Sequence, residues 1–196
     1  NASSSKIDST ELDSIPRTTV SGSKPEPMVE LSGAAIAAYR GHSPFVPIWS
    51  VEFAPSGYYF ASAGWDSTAR IWTTDRPNPV RILAGHFSSS VNCIAWHPNA
   101  NYVLTAADDK TARMWDIQTG KCVRLLNGAG AGLNGVKVCP TGRYAAASDY
   151  GGTVHIWDLG SGRKVNELRH TVGGGGGGTA AAAVQSMSYS ACGTAL

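Results

Sequence analysis

The chain has 196 residues, long enough for one sizeable domain, with 42% apolar but only 15% charged residues. Its 23 glycines and 10 prolines argue for many turns rather than long helices. A formal net charge of +2 with no run of Lys or Arg gives no electrostatic footprint for a nucleic-acid backbone or an anionic membrane, so direct nucleic-acid and membrane partners are not expected.

In chain order, residues 1–33 are rich in Ser, Thr, Pro and Glu without a sustained apolar period, the texture of a linker or disordered tail. From residue 34 to 196 the sequence repeats with a period of about 43 residues, a propeller-blade spacing. Residues 34–40 precede Gly41-His42 as Pro79 to Leu83 precede Gly85-His86, and so read as the last strand of an earlier blade. Gly41-His42, Gly85-His86 and Gly128-Ala129 open three units, and Trp72, Trp115 and Trp157 follow the second member of each pair by 30, 29 and 28 residues.

The first unit, 41–84, predicts strands at Trp49–Ala54, Tyr58–Ala63, Thr68–Thr73 and Pro79–Leu83. The second, 85–127, predicts Val91–Trp96, Tyr102–Ala106, Thr111–Asp116 and Lys121–Leu126. The third, 128–168, predicts Leu133–Val138, Arg143–Ser148, Thr153–Asp158 and Arg163–Leu168. A fourth, 169–196, is interrupted by a glycine- and alanine-rich stretch at 173–183, read as a mobile loop, and resumes with an expected strand at Val184–Ser190. Each unit is a meander of short antiparallel strands, which makes the chain all-β. A propeller needs at least four blades to close, so further blades are expected outside this sequence.

These repeats resemble the WD40 family, whose units open with Gly-His, close with Trp-Asp and hold an Asp in the turn before the last inner strand. The resemblance implies a partial WD40 β-propeller, with seven blades in the complete ring. It also implies a hydrogen-bonded tetrad of His, Ser or Thr, Asp and Trp, supplied by His42, Ser62, Asp66 and Trp72 and again by His86, Thr105, Asp109 and Trp115. Both sets place Asp six and Ser or Thr ten residues before Trp. The third unit has Ala129, Ala147 and Gly151 at the equivalent positions, so Trp157 is a remnant and this blade is expected to be the softest.

A narrower resemblance lies in Tyr58 to Ser62, Trp72 to Arg76, Pro79-Val80-Arg81, Val91-Asn92-Cys93 and His97-Pro98-Asn99. These segments are similar to the WD-repeat TBP-associated factors of transcription factor IID. The resemblance implies a non-enzymatic nuclear scaffold of TFIID, shared in some lineages with the SAGA coactivator. Its propeller would dock histone-fold TBP-associated factors in RNA polymerase II preinitiation complex assembly, contacting TBP indirectly. No cofactor, metal or catalytic residue is implied. The alternative is a WD40 adaptor in RNA processing or a ubiquitin ligase; the Arg that marks some ligase adaptors two residues after Trp-Asp is replaced by Gln118 and Gly160.

Several features have competing readings. Gly130 to Gly135 fits a G-x-G-x-x-G pattern but leads into a strand, not the helix a phosphate cradle needs. His42 with Ser62 and Asp66 has the residue types of a hydrolytic triad, yet the set recurs in the second unit at structural spacing. Trp65 either packs on a neighbouring blade or is presented to a partner, whereas Trp96 belongs to the core. Arg70 and Arg113 are read as solvated rim charges or partner contacts. Cys93, Cys122, Cys139 and Cys192 lack the close pairs of zinc or dithiol sites and are expected as buried thiols in a reducing, intracellular setting. No stretch is apolar enough for a membrane span.

Overall fold

Alternating apolar and polar residues between Pro- and Gly-bearing turns fold into short antiparallel strands. The computed structural model describes residues 37–86, 89–169, 183–193 and 195–196. Among these are twelve strands and no helix: β1 (Ile48–Phe53), β2 (Tyr59–Gly64), β3 (Thr68–Thr73), β4 (Arg81–Ala84), β5 (Val91–Trp96), β6 (Tyr102–Ala107), β7 (Ala112–Asp116), β8 (Cys122–Leu126), β9 (Leu133–Val138), β10 (Tyr144–Asp149), β11 (Thr153–Asp158) and β12 (Arg163–Arg169). They form three four-stranded meanders, β1 to β4, β5 to β8 and β9 to β12. The first strands β1, β5 and β9 lie side by side, as the inner strands of successive blades.

The turns explain why each meander folds locally. After the first strand, Gly57 and Gly142 take φ of 72° and 74° and donate to Ala54 O and Cys139 O at 2.8 Å; Ala100 holds the same place at φ 58°. That region suits glycine and costs an L-residue about 1–2 kcal/mol.

The core lies between blades. Ile71, Leu83, Ala61 and Ala63 of the first pack with Val91, Ile94, Trp96 and Val103 of the second. Leu104, Met114 and Leu126 of the second pack with Val136, Ala145 and Trp157 of the third. The second strands β2, β6 and β10 are buried over five of their six residues because a neighbouring sheet or strand covers both faces, and small residues such as Ala61, Ala106 and Ala146 suit that space.

Polar contacts between blades repeat as well. A bulge in each first strand falls at Trp49, Asn92 and Asn134. Asn92 Nδ2 donates to Leu133 O and Asn134 Nδ2 to Val184 O, both at 2.8 Å, while the Trp49 indole donates to Ser90 Oγ at 2.8 Å. Near the outer strands, Arg81 Nη2 donates to Gln118 O at 2.8 Å and Arg124 Nη2 to Gly160 O at 3.2 Å. A bulge re-aims one side chain out of the pleat, which is how these residues reach the next blade.

The structure differs from the sequence reading at Val184–Ser190, which is not a strand. The turn after it exists, since Gly193 N donates to Ser190 O and Ser190 N to Ala195 O, as in the three complete blades. Only two described residues follow that turn, too few to build the ladder that defines a strand. Residues 37–40 are likewise not in a strand, and residues 34–36, the tail at 1–33 and residues 173–182 of the Gly/Ala stretch lie outside the described residues. Only Cys139 of the four cysteines is buried; Cys122 and Cys192 are exposed.

Candidate functional site

The third strand of each of the first two blades carries a Trp whose indole points back to the second strand. Trp72 Nε1 donates to Ser62 Oγ at 2.8 Å, and Ser62 Oγ lies 2.7 Å from His42 Nε2. His42 Nδ1 lies 2.9 Å from Asp66 Oδ2. In the second blade Trp115 Nε1 donates to Thr105 Oγ1 at 2.9 Å, and His86 joins Thr105 Oγ1 at 2.7 Å to Asp109 Oδ2 at 2.8 Å. All eight predicted residues are thus brought together in two sets. With the carboxylate on Nδ1, that nitrogen carries the proton and Nε2 accepts from the hydroxyl.

Gly41 and Gly85 belong to the same design. A Cβ on Gly41 would sit 2.8 Å from the Trp72 ring and one on Gly85 2.9 Å from the Trp115 ring, so only glycine lets the loop approach the indole. The turn behind the carboxylate is equally specific. Ser67 and Lys110 adopt φ of 62° and 65°, and the next hydroxyls, Thr68 Oγ1 and Thr111 Oγ1, each donate to the Asp at 2.7 Å.

Electrostatics follow from these bonds. Burial pushes the Asp66 carboxyl up, but hydrogen bonds from Thr68, the Ser43 amide and His42 outweigh it and hold the group at about 2. Asp109 is lowered too, burial being outweighed by Thr111 and His86. Burial lowers His86 despite the opposing Asp109, so its ring is neutral near pH 7 and the contact is a hydrogen bond rather than an ion pair. The Ser-His-Asp order has the contacts of a hydrolytic triad, but Ser62 and Thr105 are 3% and 0% exposed and each oxygen already accepts an indole N–H. Neither hydroxyl can reach a substrate in this geometry.

Arg70 and Arg113 are placed differently from the solvated or partner-facing positions read from sequence. Their side chains are only 12% and 19% exposed, with Nη2 at 3.5 and 3.6 Å from the tetrad carboxylates of Asp66 and Asp109. The spacing of two residues before Trp puts the guanidinium over the same Asp, and its counter-charge draws it inward.

The third blade contains an arrangement not read from the sequence. Trp157 Nε1 donates to Asn127 O at 3.0 Å in place of a hydroxyl. His155, in the register of the two arginines, donates from Nε2 to Asp149 Oδ2 at 2.9 Å, and both are buried. His155 Nδ1 has no hydrogen-bond partner among the described residues and faces Glu167 Oε2 at 3.8 Å. Lys164 and Arg169 donate to Glu167 and hold its carboxyl at about 2. Ala147 and Gly151 had hidden this pair, because it uses other positions of the same repeat.

Trp65 is 57% exposed, and its ring lies 6.5 Å from that of Trp49 at an interplanar angle of 58°. Both line a cleft of ≈ 270 Å³ with Ser90, Asn92, Asp108, Asn134 and Tyr150. Trp96 is core, 5% exposed, with its indole donating to Glu52 O at 2.9 Å.

Successive four-stranded meanders packed face to face, with inner strands side by side, define a partial β-propeller whose first two blades are tied by His, Ser or Thr, Asp and Trp. The WD40 family profile (WD domain, G-beta repeat) matches residues 33–73, 77–116 and 120–158. The chain belongs to the WD40 family. It is 43% identical over 118 residues, 60% of its length, to Transcription initiation factor TFIID subunit 5 of Caenorhabditis elegans. It is 34% identical over 69 residues, 35% of its length, to an uncharacterised WD repeat-containing protein of Schizosaccharomyces pombe. The matches span only 18% and 13% of those two proteins.

Proposed function

We propose that this chain is part of a non-enzymatic scaffold of the general transcription machinery, acting in the nucleus as a TFIID subunit. The observation that carries the reading is the 43% identity to a TFIID subunit across 118 residues. The hydrogen bonds within the two sets support a structural role for His42, Ser62, Asp66, Trp72, His86, Thr105, Asp109 and Trp115. The propeller would dock histone-fold TBP-associated factors during preinitiation complex assembly, reach TBP indirectly and, where the subunit is shared, serve SAGA too. Gln118 and Gly160, at the positions of the ligase-adaptor Arg, give their carbonyls to Arg81 and Arg124 of the preceding blade. The Arg of the ligase-adaptor pattern is missing from both positions, which weakens the ubiquitin-ligase alternative.

Affinity purification of the full-length protein from nuclear extract, with mass spectrometry of the eluate, tests this. TBP-associated factors should be recovered with it. An eluate without them, or one dominated by RNA-processing or ubiquitin-ligase subunits, would contradict the proposal.

A further inference from the structure

The cleft beside Trp65 is made by residues from equivalent places in three blades. Trp65, Asp108 and Tyr150 each stand seven residues before their blade's Trp. Trp49, Asn92 and Asn134 are the three bulge residues. The repeat therefore brings two rings of positions to one mouth, and this sequence fills them with three aromatics, two amides and one carboxylate.

Their chemistry is one-sided. Trp49, Trp65 and Tyr150 turn part of their surface to the cleft, being 52%, 57% and 53% exposed among the described residues. Asp108 is exposed, and only its Oδ1 is engaged among the described residues, by Asn92 Nδ2 at 2.6 Å. Asn92 also lies 3.3 Å from the Tyr150 hydroxyl, which binds the acid and the phenol into one group. Among the described residues no Lys or Arg lines the cleft, though basic residues slightly outnumber acidic ones in the chain.

An unneutralised carboxylate beside tilted indole faces is complementary to a cation carried on an apolar stem. The face of an indole attracts a cation within about 6 Å of its centroid, and two rings 6.5 Å apart can both meet one bound group. The apolar stem of a lysine or arginine would cover the ring edges while its head reaches Asp108. Exposed Trp and Tyr are also the residue types that carry most energy in protein interfaces.

We propose that this cleft binds a lysine or arginine side chain presented by an extended segment of a partner protein, held against Trp49 and Trp65 and neutralised by Asp108. The inference rests on the scaffold reading, because it names what the scaffold's rim would hold. Trp49 bridges to the second blade and Asn92 to the third, so the same residues that lock neighbouring blades shape the cleft.

The test is calorimetric titration of the full-length protein with capped alanine-glycine decapeptides carrying one central lysine, arginine or norleucine. The cationic peptides should bind about tenfold more tightly than the norleucine peptide, a preference reduced by added salt. Trp65→Leu and Asp108→Asn should each remove most of that preference, whereas Trp65→Phe should retain it. Both positions are exposed, and an unchanged melting temperature would show that folding is intact. Equal binding of the norleucine peptide, no binding of any peptide up to millimolar concentration, or a preference that survives both variants would overturn the proposal. Recovery of TBP-associated factors with the wild-type protein reads the scaffold role separately. A failed titration with that recovery intact discards the cleft assignment alone.

Discussion

His86 shows how much one side chain does in this fold. Its two ring nitrogens connect Asp109 to Thr105, and Thr105 in turn holds the Trp115 indole. His86→Ala leaves a carboxylate and a hydroxyl short of partners in a site that is 1% exposed at the histidine, and should cost about 2–4 kcal/mol in urea unfolding. Asp109→Asn should also lower the unfolding midpoint; an unchanged midpoint in either variant would exclude the tetrad as a stabilising unit. The acid response has two stages. His86 is depressed below 6.5 in the fold, so as pH falls through about 6.5 the unfolded chain takes up a proton that the folded chain resists, and stability drops until the folded ring titrates. Asp66 moves from 3.8 to about 2, so its contribution is complete above pH 4 and disappears as pH falls toward 2, a loss on the order of 2 kcal/mol. Melting temperature followed from pH 8 to pH 2 should show both steps, and Asp66→Asn should shrink only the second, to which Asp109 and Glu167 also contribute.

At the scale of elements, the third blade differs from the others in what its polar residues tie down. In the first blade the entering loop is bound to the turn after β2, with the Ser43 amide donating to Asp66 Oδ2 at 3.0 Å. In the third, the Asp149 and His155 bond links β10 to β11 and leaves the loop held by the Trp157 contact to Asn127. Softening should therefore be confined to the loop. Hydrogen exchange at residues 129–131 should be faster than at Ser43, while Ala145 to Ser148 exchange as slowly as Val103 to Ala106; fast exchange throughout β10 would show that the substitute pair does not compensate. The twelve strands were legible to within about two residues at each end, because turn chemistry and alternation recur at a fixed period. The tetrads were legible for the same reason. The burial of Arg70 and Arg113, the Asp149 and His155 pair and the bulge residues were not, since each depends on a distance between strands or blades that no local pattern encodes. The expected strand at Val184–Ser190 failed on the same ground: a strand is defined by its pairing partner, not by its own sequence.

For the whole molecule, the face that β1 turns away from the second blade is the informative one. Val51 and Phe53 are each 59% exposed, while the corresponding strand of the second blade buries Ile94 and Trp96. A further blade packed there would make β1 equivalent to β5, so Val51→Lys and Phe53→Lys should destabilise the full-length protein by more than their exposure here accounts for. Equal melting of wild type and the double variant would mean that this face stays open. The same blades that close on one another offer loops at both ends, and repetition leaves those loops to vary while tetrads and bulge residues keep the frame. In the proposed role, that frame makes a subunit whose work is geometric, holding partners at a fixed spacing. The most direct measurement of that role is glycerol-gradient sedimentation of nuclear extract, probed for the full-length protein and for TBP. Both should peak together in a fraction far heavier than either protein alone. Sedimentation of the protein in a peak that lacks TBP would contradict it.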